Sequence, residues 1–226
     1  MTFSLTARCA KSGMLGVAVT SSSVCVGSRC VFARADTGAV ASQNLTDPRL
    51  GRLGLDLLAS GFSAPQVLGL LIDKRPDIEF RQLAIVDRDG RTASYSGERT
   101  LGQYAVAEDK GCVAAGNLLA SEAVPREMVS AFRGCDQTEH LAQRLIKALE
   151  AGLAAGGEED TVHSAAVYVV ERQSWPVVDL RVDWHETTPI AELRGLWDRY
   201  APQIEPYVSR AIFPSLAPSF GVKGDI

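Results

Sequence analysis

Strand-like and helix-like segments come in pairs along this chain, and that order limits the folds open to it more than any other feature. The opening TFSLTARC alternates, with Phe3, Leu5, Ala7 and Cys9 on one side and Thr2, Ser4, Thr6 and Arg8 on the other, the period of a half-buried strand. After a turn at Ser12 and Gly13, residues 15–20 read as a second strand, in which Gly16 lets a neighbour pack closely. Residues 21–43 are rich in Ser, Gly and Ala, and their short apolar pieces suit short strands and loops. Two helices follow. Asp47-Pro48 supplies an N-cap with proline at the first helical position, ahead of a stripe of Leu50, Leu53, Leu57 and Leu58 that stops at Gly61. Ser63 with Gln66 forms a capping box in front of Val67, Leu70 and Leu71.

The second half repeats the scheme. FRQLAIVDRDGRTASYSG is a hairpin around Asp89-Gly90, a pair suited to the positive φ values of a tight turn. Short strands are expected at 104–107 and 112–115, then a helix at 125–133 and another from Asp136. Leu141, Leu145, Leu149 and Leu153 repeat every four residues in the latter until Gly156-Gly157. VHSAAVYVV and VVDLRVD are two further strands, and Thr188-Pro189 opens a closing helix with Ile190, Leu193, Leu196, Trp197 and Tyr200 on one face. Paired strands alternating with paired helices lack the single-helix crossovers of a doubly wound sheet. They predict an α+β fold, a four-layer αββα sandwich of two mostly antiparallel sheets. One domain is expected over residues 1–202. Residues 203–226, with three prolines and scattered aromatics, are expected to be an extended tail, either a loosely docked end or a contact to a second subunit of a homo-oligomer.

Composition narrows the function classes. A net charge of -4, with 23 Lys and Arg scattered among 27 Asp and Glu, offers no basic field to a phosphate backbone, so no nucleic acid is expected. No apolar run approaches the roughly 20 residues of a membrane span, and no signal-peptide pattern opens the sequence, so a cytoplasmic protein is expected. Five cysteines without CxxC spacing read as buried free thiols. His140, His163 and His185 have no metal-ligand spacing, and Gly51 and Gly54 do not form a phosphate loop; neither metal nor other cofactor is expected.

Several motifs in fixed order carry a family resemblance: MTFSLTAR, LGVAVTSS, GAVASQN at 38–44, Arg81-Gln82 before AIVD, AAGNLLAS at 114–121, HSAAVYVV, and DLRVDWH ahead of PIAEL. Together, over residues 2 to 197, they resemble the domain of unknown function 1028 family, placed in the N-terminal-nucleophile hydrolase superfamily. Two departures stand out. GGEEDTVHSAA replaces a basic, glutamine-containing approach to the SAA strand, and Trp184 stands where an aspartate precedes the motif histidine.

The resemblance implies the αββα fold and an acyl-transfer chemistry. The nucleophile would be the first residue of the mature chain, Thr2 after loss of Met1, with its own freed amine as general base. An α-amino group in model peptides titrates at about 7.7–8.0, so a useful fraction is neutral near pH 7. With Met1 retained, the Thr2 nitrogen is an amide and cannot act as base. Asn117, after Gly116 at a strand end, would donate to an oxyanion, although Asn after Gly is also ordinary turn chemistry. Proteasome-type members carry a lysine on an early strand; none lies between Lys11 and Lys74 here, so either Arg29 or Arg34 substitutes or the mechanism differs. In DLRVDWH, Asp179, Arg181 and Asp183 share a face that His185 continues, a face that lines a cleft or meets water. Arg81, Arg181, Asp183 and His185 are the candidate substrate-binding residues for a small-molecule or peptide-like amide. Two other readings stand beside this one: an inactive ligand-binding or assembly protein that keeps Met1, and a hydrolase with an internal nucleophile from Ser21, Ser22, Ser23 or Cys25.

Overall fold

The computed structural model describes residues 1–224. Its strands are β1 (Thr2–Arg8), β2 (Leu15–Ser21), β3 (Val31–Arg34), β4 (Gly38–Asn44), β5 (Arg81–Asp87), β6 (Thr92–Ser96), β7 (Ala105–Asp109), β8 (Cys112–Asn117), β9 (Ser164–Val170) and β10 (Val178–Val182). They form two sheets, β10-β9-β2-β1-β8-β7 and β3-β4-β5-β6. Every pairing is antiparallel.

Three apolar layers follow from strand alternation. Phe3, Leu5 and Ala7 of β1 and Ala165 and Val167 of β9 pack against α3 (Ala123–Gly134), α4 (Leu141–Ala154) and α5 (Pro189–Tyr200) through Met128, Leu145, Leu149 and Leu193. Val40 of β4 and Leu83 and Ile85 of β5 pack against α1 (Pro48–Ala59) and α2 (Ala64–Ile72) through Leu50, Leu58, Val67 and Leu71. The opposite faces meet in a third cluster, where Leu15 and Val17 of β2 and Val113 and Ala115 of β8 touch Ala39, Ala41, Ala84 and Val86 of the other sheet. Strand β1 is therefore not half-buried. Ser4 and Thr6 on its polar face are as fully buried as Phe3 and Leu5, because that face lies under the second sheet rather than in water.

Gly16 shows why a side chain is missing at one sheet contact. A Cβ there would stand 2.6 Å from the Tyr168 carbonyl oxygen and 2.9 Å from a Val169 methyl on β9. Gly16→Ala must push backbone aside and is expected to lower stability by about 1–3 kcal/mol. The measurement is a lower urea midpoint at unchanged slope.

Local capping explains several element boundaries. Asp47 accepts the Arg49 amide at 3.0 Å and the Ser63–Gln66 box forms, as the sequence predicts. Helix α4, however, starts at Leu141 rather than Asp136; Asp136 turns back on the Thr138 amide at 2.8 Å, and His140 Nδ1 caps α4 through the Ala142 amide at 3.1 Å. A four-residue repeat overshoots the helical period by about 40° per step, so Leu153 has rotated into solvent at 45% exposure while Leu141, Leu145 and Leu149 are buried.

The expected extended tail over 203–226 is corrected: a further helix, α6 (Ile204–Ile212), forms there. Pro206 falls in its first turn, where a missing N–H removes no helical bond, and Ile204 and Val208 join the α3–α4–α5 cluster. Among the described residues, no helix is long and apolar enough to cross a membrane. All five cysteines are free, with Cys9, Cys30 and Cys112 buried.

Candidate active site

The space between the sheets is apolar along most of its length and polar at one end. On this face β2 runs Leu15, Val17, Val19 and then Ser21; β4 runs Ala39, Ala41 and then Gln43; β8 runs Val113, Ala115 and then Asn117. Strand β5, running the opposite way, begins this face with Gln82 before Ala84 and Val86, and β1 begins it with Thr2 and Ser4. Antiparallel pairing brings these ends together.

The amides form a closed network. Gln82 Nε2 donates to the Gly116 carbonyl and to Ser96 Oγ, each at 3.0 Å. That fixes Gln82 Oε1 as an acceptor, and it takes Gln43 Nε2 at 2.8 Å and Asn117 Nδ2 at 3.1 Å. Gln43 Nε2 also reaches the Ala115 carbonyl at 3.1 Å, and its Oε1 accepts from Ser4 Oγ at 2.7 Å. Both sheets are thereby joined through side chains.

The network also engages Asn117: its amide nitrogen donates one of its two N–H groups to Gln82, and the buried atom left without a partner is Oδ1. Asn117 does face Thr2, its registered partner across β1 and β8.

Thr2 sits at the head of β1 at 6% exposure. Its hydroxyl and that of Ser21 both donate to the Met1 carbonyl oxygen, and the two hydroxyls lie 3.3 Å apart. The Ser23 amide donates to Ser21 Oγ at 3.0 Å, which holds that hydroxyl in place. Next to it lies Glu158, 6% exposed, with Oε2 accepting the Ser22 amide at 3.1 Å and Oε1 buried without a partner. The backbone of Glu158 is fixed by a bridge to Leu119, flanked by Ala120–Gly157 and Glu159–Leu118 hydrogen bonds. Burial pushes the Glu158 carboxyl up to about 7, against the pull of the chain's terminal ammonium and the Ser22 amide.

The other candidates lie apart from this cluster. Arg181 and Asp183 belong to the β10 edge, separated from β1 by β9 and β2, a distance of about 14 Å at ordinary strand spacing. Arg181 pairs with Asp179 at 3.3 Å and lines a cleft of about 230 Å³ with Gly27, Phe32 and Tyr168. The Asp183 carbonyl accepts the Cys25 amide at 2.9 Å. His185 Nδ1 accepts the Thr188 amide at 2.9 Å and so holds the turn that leads into α5, whose N-cap Thr188 makes no side-chain capping bond. Arg81 heads β5 beside Gln82, but points its guanidinium at the Leu45 carbonyl. Arg29 binds the Val24 and Cys25 carbonyls and Arg34 pairs with Asp56 at 2.8 Å, so neither takes the place of the early-strand lysine. Sequence reasoning missed Glu158, Gln43 and Gln82 as members of the cluster. Among the described residues, no three His, Cys, Asp or Glu side chains group to hold a metal ion.

Over residues 2–193 the chain matches the model of a family described as a family of unknown function (DUF1028). A crystal structure of a protein from Silicibacter pomeroyi, described under the same family, superposes with a TM-score of 0.83 at 27% identity, covering 91% of this chain and 94% of that one. Anbu (ancestral beta-subunit) from Yersinia bercovieri superposes with a TM-score of 0.40 at 11% identity, covering 97% of this chain and 100% of that one. Anbu from Hyphomicrobium sp. strain MC1 gives a TM-score of 0.42 at 9% identity, with coverage of 97% and 100%. No curated protein matches the sequence.

Proposed function

The chain belongs to DUF1028, a family of unknown function, and on that premise we propose that it is an amidohydrolase of the N-terminal-nucleophile type, with Thr2 as nucleophile once Met1 is removed. In this reading the helix–sheet–sheet–helix packing is the four-layer αββα sandwich of that superfamily. The observation that carries it is the pair of hydroxyls, Thr2 and Ser21, converging on the Met1 carbonyl at the head of a buried strand. A substrate carbonyl placed where the Met1 carbonyl lies would meet the same two groups.

The chemistry then runs through this chain's own residues. The freed Thr2 amine takes the proton of the Thr2 hydroxyl, and Oγ1 adds to the substrate carbonyl carbon. The developing oxyanion accepts from Ser21 Oγ, whose position the Ser23 amide secures. Collapse of the tetrahedral adduct breaks the C–N bond, with the amine proton passing to the leaving nitrogen, and water then hydrolyses the threonyl ester.

Met1 in place blocks this site twice, by acylating the base and by filling the carbonyl position. A chain released from a cleavable fusion to begin at Thr2 is expected to hydrolyse members of a panel of small amides and esters, and the chain verified by intact mass to retain Met1 is expected to hydrolyse none. Equal turnover by the two forms, or none by either, would remove the Thr2 mechanism. The second result would favour a binding protein that keeps Met1.

A further inference from the structure

We propose that the Thr2 site recognises an acyl group bearing a free α-amino group, and that Glu158 is the residue that meets this ammonium. The inference rests on the reading of Thr2 and Ser21 as the carbonyl-binding hydroxyls. Met1 is itself such a group: an aminoacyl residue joined by an amide bond, its carbonyl held by both hydroxyls. Its α-ammonium acts electrostatically on Glu158 without bonding to it, and Glu158 Oε1 stays without a partner. The Met1 residue thus marks where an aminoacyl substrate would lie after it departs.

The surroundings of that position favour a donor-rich, cationic group. Glu158 Oε1 and Asn117 Oδ1 are both buried acceptors without partners, one on each side of the Thr2 strand head. Both have their second polar atom engaged, Glu158 Oε2 by the Ser22 amide and Asn117 Nδ2 by Gln82, so neither can turn to satisfy itself. An ammonium brings three donors to such a place. An acylated nitrogen brings one donor and an apolar cap, which leaves a buried carboxylate unpaired.

Among charged groups, Glu158 is influenced by the terminal ammonium, which favours its ionised form, and by Asp160, which opposes it. Burial favours the protonated carboxyl, and an arriving ammonium would favour its ionised form as the terminal ammonium does here.

The test compares L-methioninamide with N-acetyl-L-methioninamide by titration calorimetry at pH 8, using a chain that begins at residue 2 and carries Thr2→Ala to stop turnover. The free amine is expected to bind at least about tenfold more tightly. Glu158→Gln in the same background should bring the two within about threefold, and the chain that retains Met1 should bind neither compound. Equal binding, no binding of either, or a preference that survives Glu158→Gln overturns the proposal; the first two need no variant of Glu158 and so do not depend on its folding. Turnover by the Thr2-bearing chain is scored separately. A binding preference without amide hydrolysis supports aminoacyl recognition and removes the hydrolase reading. Equal hydrolysis of free and acetylated anilides keeps the hydrolase and removes the recognition.

Discussion

Thr2→Ala, in a chain that begins at residue 2, is expected to lower amide turnover by about 10³-fold or more, because it deletes the only atom that bonds to the acyl group. The fold should hardly register the change. Without Met1 the Thr2 hydroxyl keeps one weak protein partner, Ser21 Oγ at 3.3 Å, so its loss costs about 1 kcal/mol or less. Thr2→Ser keeps a hydroxyl on the same strand face and should retain turnover within roughly tenfold of the parent. Ser21→Ala separates the two hydroxyls by role. As oxyanion donor, Ser21 is expected to contribute about 10²–10³ in kcat with little effect on KM. If Ser21→Ala abolishes turnover while Thr2→Ala leaves it intact, the nucleophile is internal and the N-terminal amine is a bystander. Cys25 has a weaker claim to that part, since its backbone is engaged with Asp183 at the edge of the sheet and it makes no hydrogen bond to Thr2 or Ser21.

The paired order of elements was readable because each element carries its own period, and the caps at Asp47 and Ser63 mark helix starts through side chains only two or three residues from the amides concerned. What covers a face was not readable. Alternation in TFSLTAR separates two faces of β1 but says nothing of what lies on either, and a polar face under a second sheet looks the same in sequence as one in water. Ser4 became a core residue only because Gln43, far along the chain, turns toward it.

The same limit explains the choice of Arg81 over Gln82. In RQLAIVD both faces are apolar, Leu83 and Ile85 against the helices and Ala84 and Val86 between the sheets, so parity alone does not say which polar neighbour turns inward. Register with Gln43 and Asn44 on β4 decides it. Glu158 stands beside a chemically identical Glu159, and the bridge from Leu119 selects the first. His185 was legible as the continuation of a polar strand face, but its engagement by the Thr188 amide depends on a turn that one strand pattern does not specify.

Gln82→Ala is expected to lower stability by about 3–5 kcal/mol, a large value for one substitution outside the apolar clusters. The truncation removes the acceptor of the Asn117 amide nitrogen, one donor from the Gly116 carbonyl and one of the two acceptors of Gln43 Nε2, all in a buried position joining both sheets. Arg81→Ala, one residue away and half-buried, should fall within about 1 kcal/mol of the parent. Gln82→Glu keeps the shape but loses both donors and introduces a buried charge. Because burial raises a carboxyl pKa, the folded state holds the proton to higher pH than the unfolded chain does. The introduced carboxyl is then best tolerated at acid pH, and the defect should deepen from pH 5 to pH 8 in urea titrations. A double cycle of Gln82→Ala with Asn117→Ala should show a coupling of about 1 kcal/mol or more. If instead Gln82→Ala is no more damaging than Arg81→Ala, the amide network does not fix Asn117, its nitrogen is free to face Thr2, and the acceptor-lined site beside the N-terminus loses one of its two walls.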